Sequence, residues 1–391
     1  MDQVFVGIDI AKESFVACAL NEKQEKLFEL TLSMDREGFQ KLEKYLRDFP
    51  KESLLIGEES SGCYHINLFS FLVSQGYRVV VLNPLLVSHF LKLSLRKTKT
   101  DRKDALTIAQ FLAQFHTSLP ESSFLSSDFR DLARERESIS FEITRLKNDI
   151  QRLLEITFPE LPRYLNVFSS SLLNLLQFYP SARAIKAADP VRLAEVLTNQ
   201  GKRRKPTISP EELLSLARVS IASPSPSREL ILSQKISHLL FLQEKLPEIE
   251  EMLSMMCRQI AWEDLEILKS IKGIGEVTAL HFLAEVGDVR RFGNHRKLIA
   301  YAGLDPSIYQ SGKFKGESKI SKRGNRHARR VIFLMAQSVA KVNHLFRTYF
   351  LRKREEGASY KKAILAVAHK LIRVIFALLT QRSHFRVSLN S

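Results

Sequence analysis

Cysteine is scarce in this chain. Cys18, Cys63 and Cys257 are the three present among 391 residues, odd in number and far apart. That spacing makes neither a zinc motif nor a disulfide framework, and it suits a reducing cytoplasm. The N-terminus, MDQVFVGIDI, shows no signal-peptide pattern and leads directly into a predicted strand. The most apolar late stretch, from Ala363 to Thr380, is interrupted by His369, Lys370 and Arg373. A packed helix is expected there, not a membrane span. No internal repeat is visible. Acidic residues are nearly missing from one end: Arg291 to Ser391 holds 4 Asp+Glu against 22 Lys+Arg, a net of +18. The whole chain carries +16, so the preceding 290 residues are close to neutral. A basic region of this kind is the electrostatic footprint of a polyanion. An anionic membrane surface explains it less well, because the basic residues are interleaved with loop motifs and do not line one amphipathic helix.

Hydrophobic residues make up 45% and charged residues 26%, enough for two or three globular domains. Residues 1–124 read as α/β. Strands are predicted at Val4–Ile10, Ser14–Leu20, Lys26–Leu32, Leu54–Glu58 and Arg78–Leu82, the last stopping at Asn83-Pro84. Helices fit Arg36–Phe49 and Tyr64–Gln75, the second capped by Gly76. Three strands followed by alternating helices and strands is the order of a ribonuclease-H-like domain.

Four carboxylates fall where these elements end or turn. Asp9 closes the run Val4-Phe5-Val6-Gly7-Ile8, and Glu59 closes Leu54-Leu55-Ile56-Gly57. Asp101 and Asp104 open the helix-like KTDRKDALTIAQFL, and a spacing of three puts both on one face. Oxygen ligands of this kind suit Mg²⁺, which takes a few carboxylates along with substrate phosphates. Two such ions stabilise the attacking and leaving oxygens of a phosphodiester displacement. Any one of these acids alone equally fits a solvated loop or an N-cap.

Residues 125–262 read as helical. Leu132, Ile139, Ile143, Leu146, Ile150 and Leu153 form one stripe; Leu232, Leu239, Leu242, Leu246, Ile249, Leu253, Met256 and Ile260 form another. Steps of three and four make a heptad seam, either within one chain or across a dimer. Pro247 should kink or divide the second stripe. Between the stripes lie the basic run Gly201-Lys202-Arg203-Arg204-Lys205-Pro206, read as a solvated loop with nucleic-acid contact as the alternative, and the linker-like Ser223-Pro224-Ser225-Pro226-Ser227.

The region 263–391 starts with a Gly273-Ile274-Gly275 turn between two helical patterns, like a helix-hairpin-helix. Such turns direct backbone N–H groups at phosphates; a plain interhelical turn is the simpler alternative. Helices near Arg296–Ala302 and Asn325–Val339 flank a Gly-, Ser- and Lys-rich loop centred on Ser311-Gly312. Lys313, Lys315, Lys319, Lys322, Arg323, Arg326, Arg329 and Arg330 crowd around it. Cations there can position a phosphodiester and stabilise charge on it. A serine nucleophile needs activation, and no His–Asp pair adjoins Ser311 in sequence. Ser307, Ser318 and Ser321 compete with it on spacing alone.

Taken together, these motifs resemble the DEDD-type transposases of bacterial insertion sequences, a family that includes pilin-gene invertases and bridge-RNA-guided recombinases. The matching residues are Gly7-Ile8-Asp9-Ile10-Ala11-Lys12, Glu59-Ser60-Ser61-Gly62, Asn83-Pro84 and Lys99-Thr100-Asp101-Arg102-Lys103-Asp104-Ala105. Further on come Gly273-Ile274-Gly275, Ala302-Gly303-Leu304-Asp305-Pro306, Ser311-Gly312 and Ser321-Lys322-Arg323-Gly324-Asn325. The resemblance implies a RuvC-like domain over 1–124, a coiled coil over 125–262 and a transposase domain over 263–391. It implies Asp9, Glu59, Asp101 and Asp104 as ligands of Mg²⁺, with Mn²⁺ as an alternative, and Ser311 as a nucleophile forming a phosphoserine link to DNA. It further implies donor and target DNA, a structured guide RNA, a homodimer or homotetramer with a composite site, and a bacterial cytoplasmic location. Lys99, Arg102, Lys103, Gly273 and Gly275 join the loop cations as expected nucleic-acid contacts. Two departures stand out. Glu58 adjoins Glu59, so the ligand assignment rests on aligning Glu59-Ser60-Ser61-Gly62. The stretch from about Leu161 to Arg228 looks inserted, with RNA contact and oligomer contact both open. Two rivals remain: a metal nuclease of the Holliday-junction-resolvase class, which needs no Ser311, and a non-catalytic nucleic-acid-binding protein.

Overall fold

A computed structural model of the chain describes residues 3–59, 64–82, 87, 90, 101–118, 124–198, 208–307, 310–311, 314–315 and 319–386. By contact the chain divides into two units, Met1–Asp128 with Gly287–Gly293, and Phe129–Val286 with Asn294–Ser391. The expected middle and C-terminal regions thus share one unit.

The first unit is built on a five-stranded sheet. Strands β1 (Val4–Ile10), β2 (Ser14–Asn21) and β3 (Lys26–Ser33) form an antiparallel meander. Strands β4 (Leu54–Glu59) and β5 (Val79–Leu82) add in parallel beyond β1, giving the order β3-β2-β1-β4-β5. Central β1 and β4 are buried on both faces, so they read as apolar runs without alternation. Edge strand β3 is half exposed. Helix α1 (Arg36–Leu46) starts at Asp35, whose side chain accepts from the Gly38 amide at 2.8 Å. Helix α2 (His65–Ser74) is followed by Gly76 at φ +82°, a left-handed stop that suits glycine. These two helices cover one sheet face: Leu42, Leu46, Leu68 and Leu72 pack with Val6, Ile8 and Ile56. Helix α3 (Asp101–Phe115) covers the other face: Ile108 and Leu112 meet Phe5, Leu55 and Val80, and Ala105 and Ala109 meet Val16 and Cys18. Asn83-Pro84 lies outside the described residues.

Two long helices dominate the second unit, α4 (Phe124–Thr157) and α10 (Pro226–Ile260). Ion pairs link Arg136 to Glu250 at 2.6 Å and Asp149 to Lys235 at 2.6 Å. Numbers rise along one helix as they fall along the other, so the two stripes pair antiparallel within one chain. Ile139, Leu146, Ile150 and Leu153 share a buried core with Leu232, Leu239 and Leu242. The second stripe loses burial toward its end, where Ile260 is exposed and Cys257 is buried instead. Helix α10 is not divided at Pro247. The lost N–H bond and the ring clash cost about 3 kcal/mol, and burial of Leu242 and Leu253 on either side offsets this.

The stretch that looks inserted folds into five short helices: α5 (Leu161–Tyr164), α6 (Ser170–Phe178), α7 (Ala182–Lys186), α8 (Pro190–Thr198) and α9 (Pro210–Arg218). Ser209 and Glu212 form a capping box at α9, and proline opens both α8 and α9. Leu172, Leu176, Ile185 and Leu213 join the core of the hairpin.

The remainder comprises α11 (Trp262–Lys269), α12 (Glu276–Val286), α13 (His295–Tyr301), α14 (Arg326–Val342), α15 (His344–Glu355) and α16 (Tyr360–Gln381), with a β-ribbon between α13 and α14. By length and composition α16 is apolar enough to cross a membrane. Its Ile364, Val367, Leu371, Ile372 and Ile375 are nonetheless buried within the unit, and His369 Nε2 lies 2.9 Å from the Leu304 carbonyl oxygen.

The hairpin predicts its own test. Leu239 is fully buried, so Leu239→Ala should cost about 2–5 kcal/mol. With the seam inside one chain, the drop in Tm should be the same at every protein concentration. A concentration-dependent drop would put the seam between chains.

Candidate active site and nucleic-acid interface

The register of β1 and β4 decides which acids share a face. Gly7 lies beside Gly57, and Ile8 beside Glu58. Side chains alternate along a strand, and neighbours in register point the same way. Asp9 and Glu59 therefore fall on the face that Gly7 and Gly57 leave open, which is the face of α3. The two glycines are required by packing. A Cβ on Gly7 would lie 2.2 Å from the Ala105 carbonyl oxygen and 2.3 Å from the Ala109 amide nitrogen. One on Gly57 would lie 2.7 Å from Leu112 Cδ1. At Gly7 backbone meets backbone and at Gly57 the Leu112 side chain fills the space, so the helix that carries Asp101 and Asp104 rests directly on the strands that carry Asp9 and Glu59. Asp9 and Glu59 are partly buried and Asp104 is buried. Asp101 opens α3, its side chain outside the described residues. Among the described residues no group of three or more His, Cys, Asp or Glu side chains is close enough to hold a metal ion. As a donor set the four acids are all oxygen, the chemistry of a hard divalent cation.

Glu58 takes the opposite face. It is wholly buried on the side of Ile8 and Ile56, and neither carboxyl oxygen has a hydrogen-bond partner. Burial pushes its carboxyl well above the ordinary value. Sequence alone left two adjacent glutamates; the register separates them.

The serine loop is a ribbon. Strand β6 (Pro306–Ser307) pairs with β9 (Lys319–Ile320), and β7 (Gln310–Ser311) with β8 (Phe314–Lys315). Ser311 faces Phe314 in the last pair, beside the two-residue connection. The ribbon's base is tied at several points. Ser321 Oγ donates to Asp305 Oδ1 at 2.6 Å and its amide donates to the Asp305 carbonyl at 2.8 Å. Ser321, a rival nucleophile on spacing, thus serves as a clasp. Asn325 caps α14 through Oδ1, and its Nδ2 donates to Glu285 Oε2 at 2.6 Å. Glu285 is buried and also receives Arg134 at 2.6 and 3.0 Å. Burial raises the Glu285 carboxyl, but the bonds from Arg134 and Asn325 outweigh it and hold the group below its usual range.

The cations expected around Ser311 divide into two groups. Lys322, Arg323 and Arg326 are exposed. Arg329 points inward, donating to the Ala302 carbonyl at 3.0 Å and the Lys322 carbonyl at 3.3 Å. Arg330 pairs with Glu137 at 2.8 Å and lies over the Phe141 ring at 3.8 Å. Glu137 also binds His327 Nδ1. Both arginines therefore have internal tasks that spacing did not suggest. Glu137, Arg134 and Glu285 were missed for the same reason, since Arg134 and Glu285 lie 151 residues apart and Glu137 and His327 lie 190 apart. Arg102 and Lys103 are exposed on the first turn of α3, with Arg102 3.6 Å from Glu29. Lys99 and Lys313 lie outside the described residues, as do the side chains of Ser311, Lys315 and Lys319.

The Gly273-Ile274-Gly275 turn joins α11 to α12. Gly273 has φ +108°, and a Cβ there would lie 2.9 Å from Val339 Cα, so packing against α14 demands glycine. At Gly275 nothing lies within 4 Å of where a Cβ would be. Packing therefore places no demand for glycine at Gly275.

A DEDD family model of IS110, described as "Transposase", matches residues 6–159. A second, described as "Transposase IS116/IS110/IS902 family", matches residues 265–351. The chain belongs to the IS110/IS116 transposase family. It is similar to the uncharacterized 44.8 kDa protein of insertion element IS116 from Streptomyces clavuligerus, with 26% identity over 98% of this chain and 96% of that one. The transposase for insertion sequence element IS1111A of Coxiella burnetii is 26% identical over 98% of this chain and 92% of its own length. The pilin gene-inverting protein of Moraxella bovis is 22% identical, over 98% of each.

Two predictions concern the scaffold of this transposase. Gly7→Ala should force α3 off the sheet, and the variant should be insoluble or lose several kcal/mol, on the scale of severe overpacking, measured by chemical denaturation. Full stability would mean that the helix does not rest on Gly7. The second concerns pH. Burial, then the Arg136 charge, holds the His281 imidazole down at about 4. An unfolded histidine titrates near 6.5. Below 6.5 the unfolded state binds the extra proton, so stability is full above that pH and falls toward 4. The loss should be about 1–2 kcal/mol between pH 6.5 and 5, and His281→Gln should flatten it.

Proposed function

We propose that this transposase is a divalent-metal-dependent, serine-using DNA recombinase that moves an insertion sequence. The observation that carries the reading is the strand register, which gives Asp9 and Glu59 one face beneath the helix of Asp101 and Asp104. The sheet order β3-β2-β1-β4-β5 supports a RuvC-like reading of the first unit. Asp9, Glu59, Asp101 and Asp104 are the residues that would hold Mg²⁺ or Mn²⁺. Such an ion would supply positive charge that stabilises the oxygens of a phosphodiester undergoing displacement.

Ser311 supplies the nucleophile. Its Oγ forms a bond to phosphorus as a P–O bond of the strand breaks; the serine proton is given up and the departing oxygen is protonated. The strand end stays attached to the protein, and attack by another strand's hydroxyl reverses the step. A place at the tip of a ribbon suits this task, because the clasps at its base leave the tip able to reach a backbone. Lys322, Arg323 and Arg326 stand exposed at that base and would hold phosphates. The resemblance adds a structured guide RNA that pairs with donor and target DNA, and a dimer or tetramer in which acids and serine come from different protomers. The net +18 after residue 290 supports polyanionic partners.

Purified protein mixed with element DNA should yield a covalent complex that survives denaturation, and peptide mapping should find it on Ser311. Ser311→Ala should lose the complex and recombination yet keep DNA binding. Asp9→Ala, Glu59→Ala or Asp104→Ala should each abolish cleavage in a folded protein, and EDTA should stop it until Mg²⁺ returns. Strand exchange with no adduct would favour the nuclease rival. An adduct on Ser321 would move the nucleophile.

A further inference from the structure

The helical insert contains a pocket that the reading above leaves unused. It has a volume of about 170 Å³ and is lined from the end of α4, from α7, from the end of α9 and from the start of α10. Arg183, Lys186 and Arg218 border it from exposed positions. The acid in its wall, Glu229, is already matched: it is 8% exposed, holds Arg183 at 2.6 and 3.1 Å, and accepts from Ser181 Oγ at 2.7 Å. Lys186 and Arg218 make no ion pair among the described residues. Two uncommitted positive charges therefore face one small space.

Thr157 completes the site. It is the last residue of α4, is 1% exposed, and lines the pocket. Its Oγ1 is buried with no hydrogen-bond partner. An orphaned buried hydroxyl is costly, and such a group in a native fold calls for a ligand or a reason. A hydroxyl and two cations around a compact volume match the oxygens of one phosphate group. The insert is also basic as a whole: residues 161–228 hold ten Lys+Arg and four Asp+Glu. The near neutrality of the first 290 residues hides this second basic region.

We infer that this pocket binds a backbone phosphate of nucleic acid, giving the insert a contact of its own apart from the basic C-terminal region. The inference rests on the reading that the protein works on nucleic acid, and needs neither the four acids nor Ser311.

The test measures binding of full-length protein to a labelled duplex DNA and a labelled single-stranded RNA, by anisotropy across a salt series. Lys186→Glu with Arg218→Glu should weaken at least one probe roughly tenfold and lower its salt slope by about one to two, with Tm unchanged. Arg192→Glu makes the same kind of charge change on the same insert, outside the pocket, and should have a smaller effect. Thr157→Val separates a ligand contact from a structural one: an orphaned hydroxyl predicts unchanged or higher Tm with affinity reduced several-fold. Affinities and slopes in the folded double variant that match Arg192→Glu overturn the inference. So does a pocket that inorganic phosphate stabilises through Arg218 while oligonucleotide binding stays intact, since that is a free-anion site. Wild-type protein that binds neither probe would refute the wider function as well; wild-type binding with unaffected variants refutes the pocket alone.

Discussion

The seating of α3 against β1 and β4 is the contact on which the architecture of the first unit depends. It is made at two positions with no side chain. Main-chain atoms of Ala105 and Ala109 occupy the space where a Gly7 side chain would begin. Interiors pack at crystal density, so there is no slack to absorb an added methyl. Asp104 rides on the helix and Asp9 and Glu59 on the strands, and this close seating sets how near the helix lies to the sheet face that carries the two strand acids. The glycines hold no proton and bind no metal, yet they determine how closely α3 can approach the strands.

The second unit solves a different problem, holding a chain segment with few apolar residues in a fixed place. The ribbon that carries Ser311 has strands of two residues each. Such pieces cannot be stable alone. Its base is secured instead by polar bonds that converge on two buried carboxylates. Glu285 joins Arg134 of α4 to Asn325 at the start of α14. Glu137 joins α4 to His327 and Arg330. Loss of Arg134 would leave the buried Glu285 carboxylate with Asn325 alone and no paired cation, which costs far more than the pair contributes. The helical hairpin and the start of α14 are therefore linked through two shared carboxylates. It also means that formal charge overstates the cationic surface, since Arg329 and Arg330 face inward.

Sequence patterns revealed the first unit well. Strands and helices of six or more residues with clear apolar runs were legible, within a few residues at their ends, because period and punctuation are local signals. The two long stripes were legible too, but not whether they met in one chain; the ion pairs from Arg136 to Glu250 and from Asp149 to Lys235 settle that and span 114 and 86 residues. The ribbon was read as a loop, because two-residue strands are shorter than any periodicity. The helices of the insert, four to nine residues long, make at most about two and a half turns, too few for a clear apolar stripe. Within the site, the acids could be chosen by type and position. Their faces could not, because a face is set by pairing with a strand some fifty residues away.

The adjacent Glu58 and Glu59 show what such pairing demands. A strand that slides by one residue exchanges its two faces. Chemically, β4 would hardly notice: in the slipped alignment Glu58 would stand where Glu59 stands, and the site would still receive a glutamate. The acids therefore cannot tell the correct alignment from the wrong one. Bulk can. Slipping the strand would bring Ile56 to the position of Gly57, where Leu112 already crowds a single carbon. The doubled glutamate makes the message ambiguous, and the smallest residue in the strand serves as its proofreader.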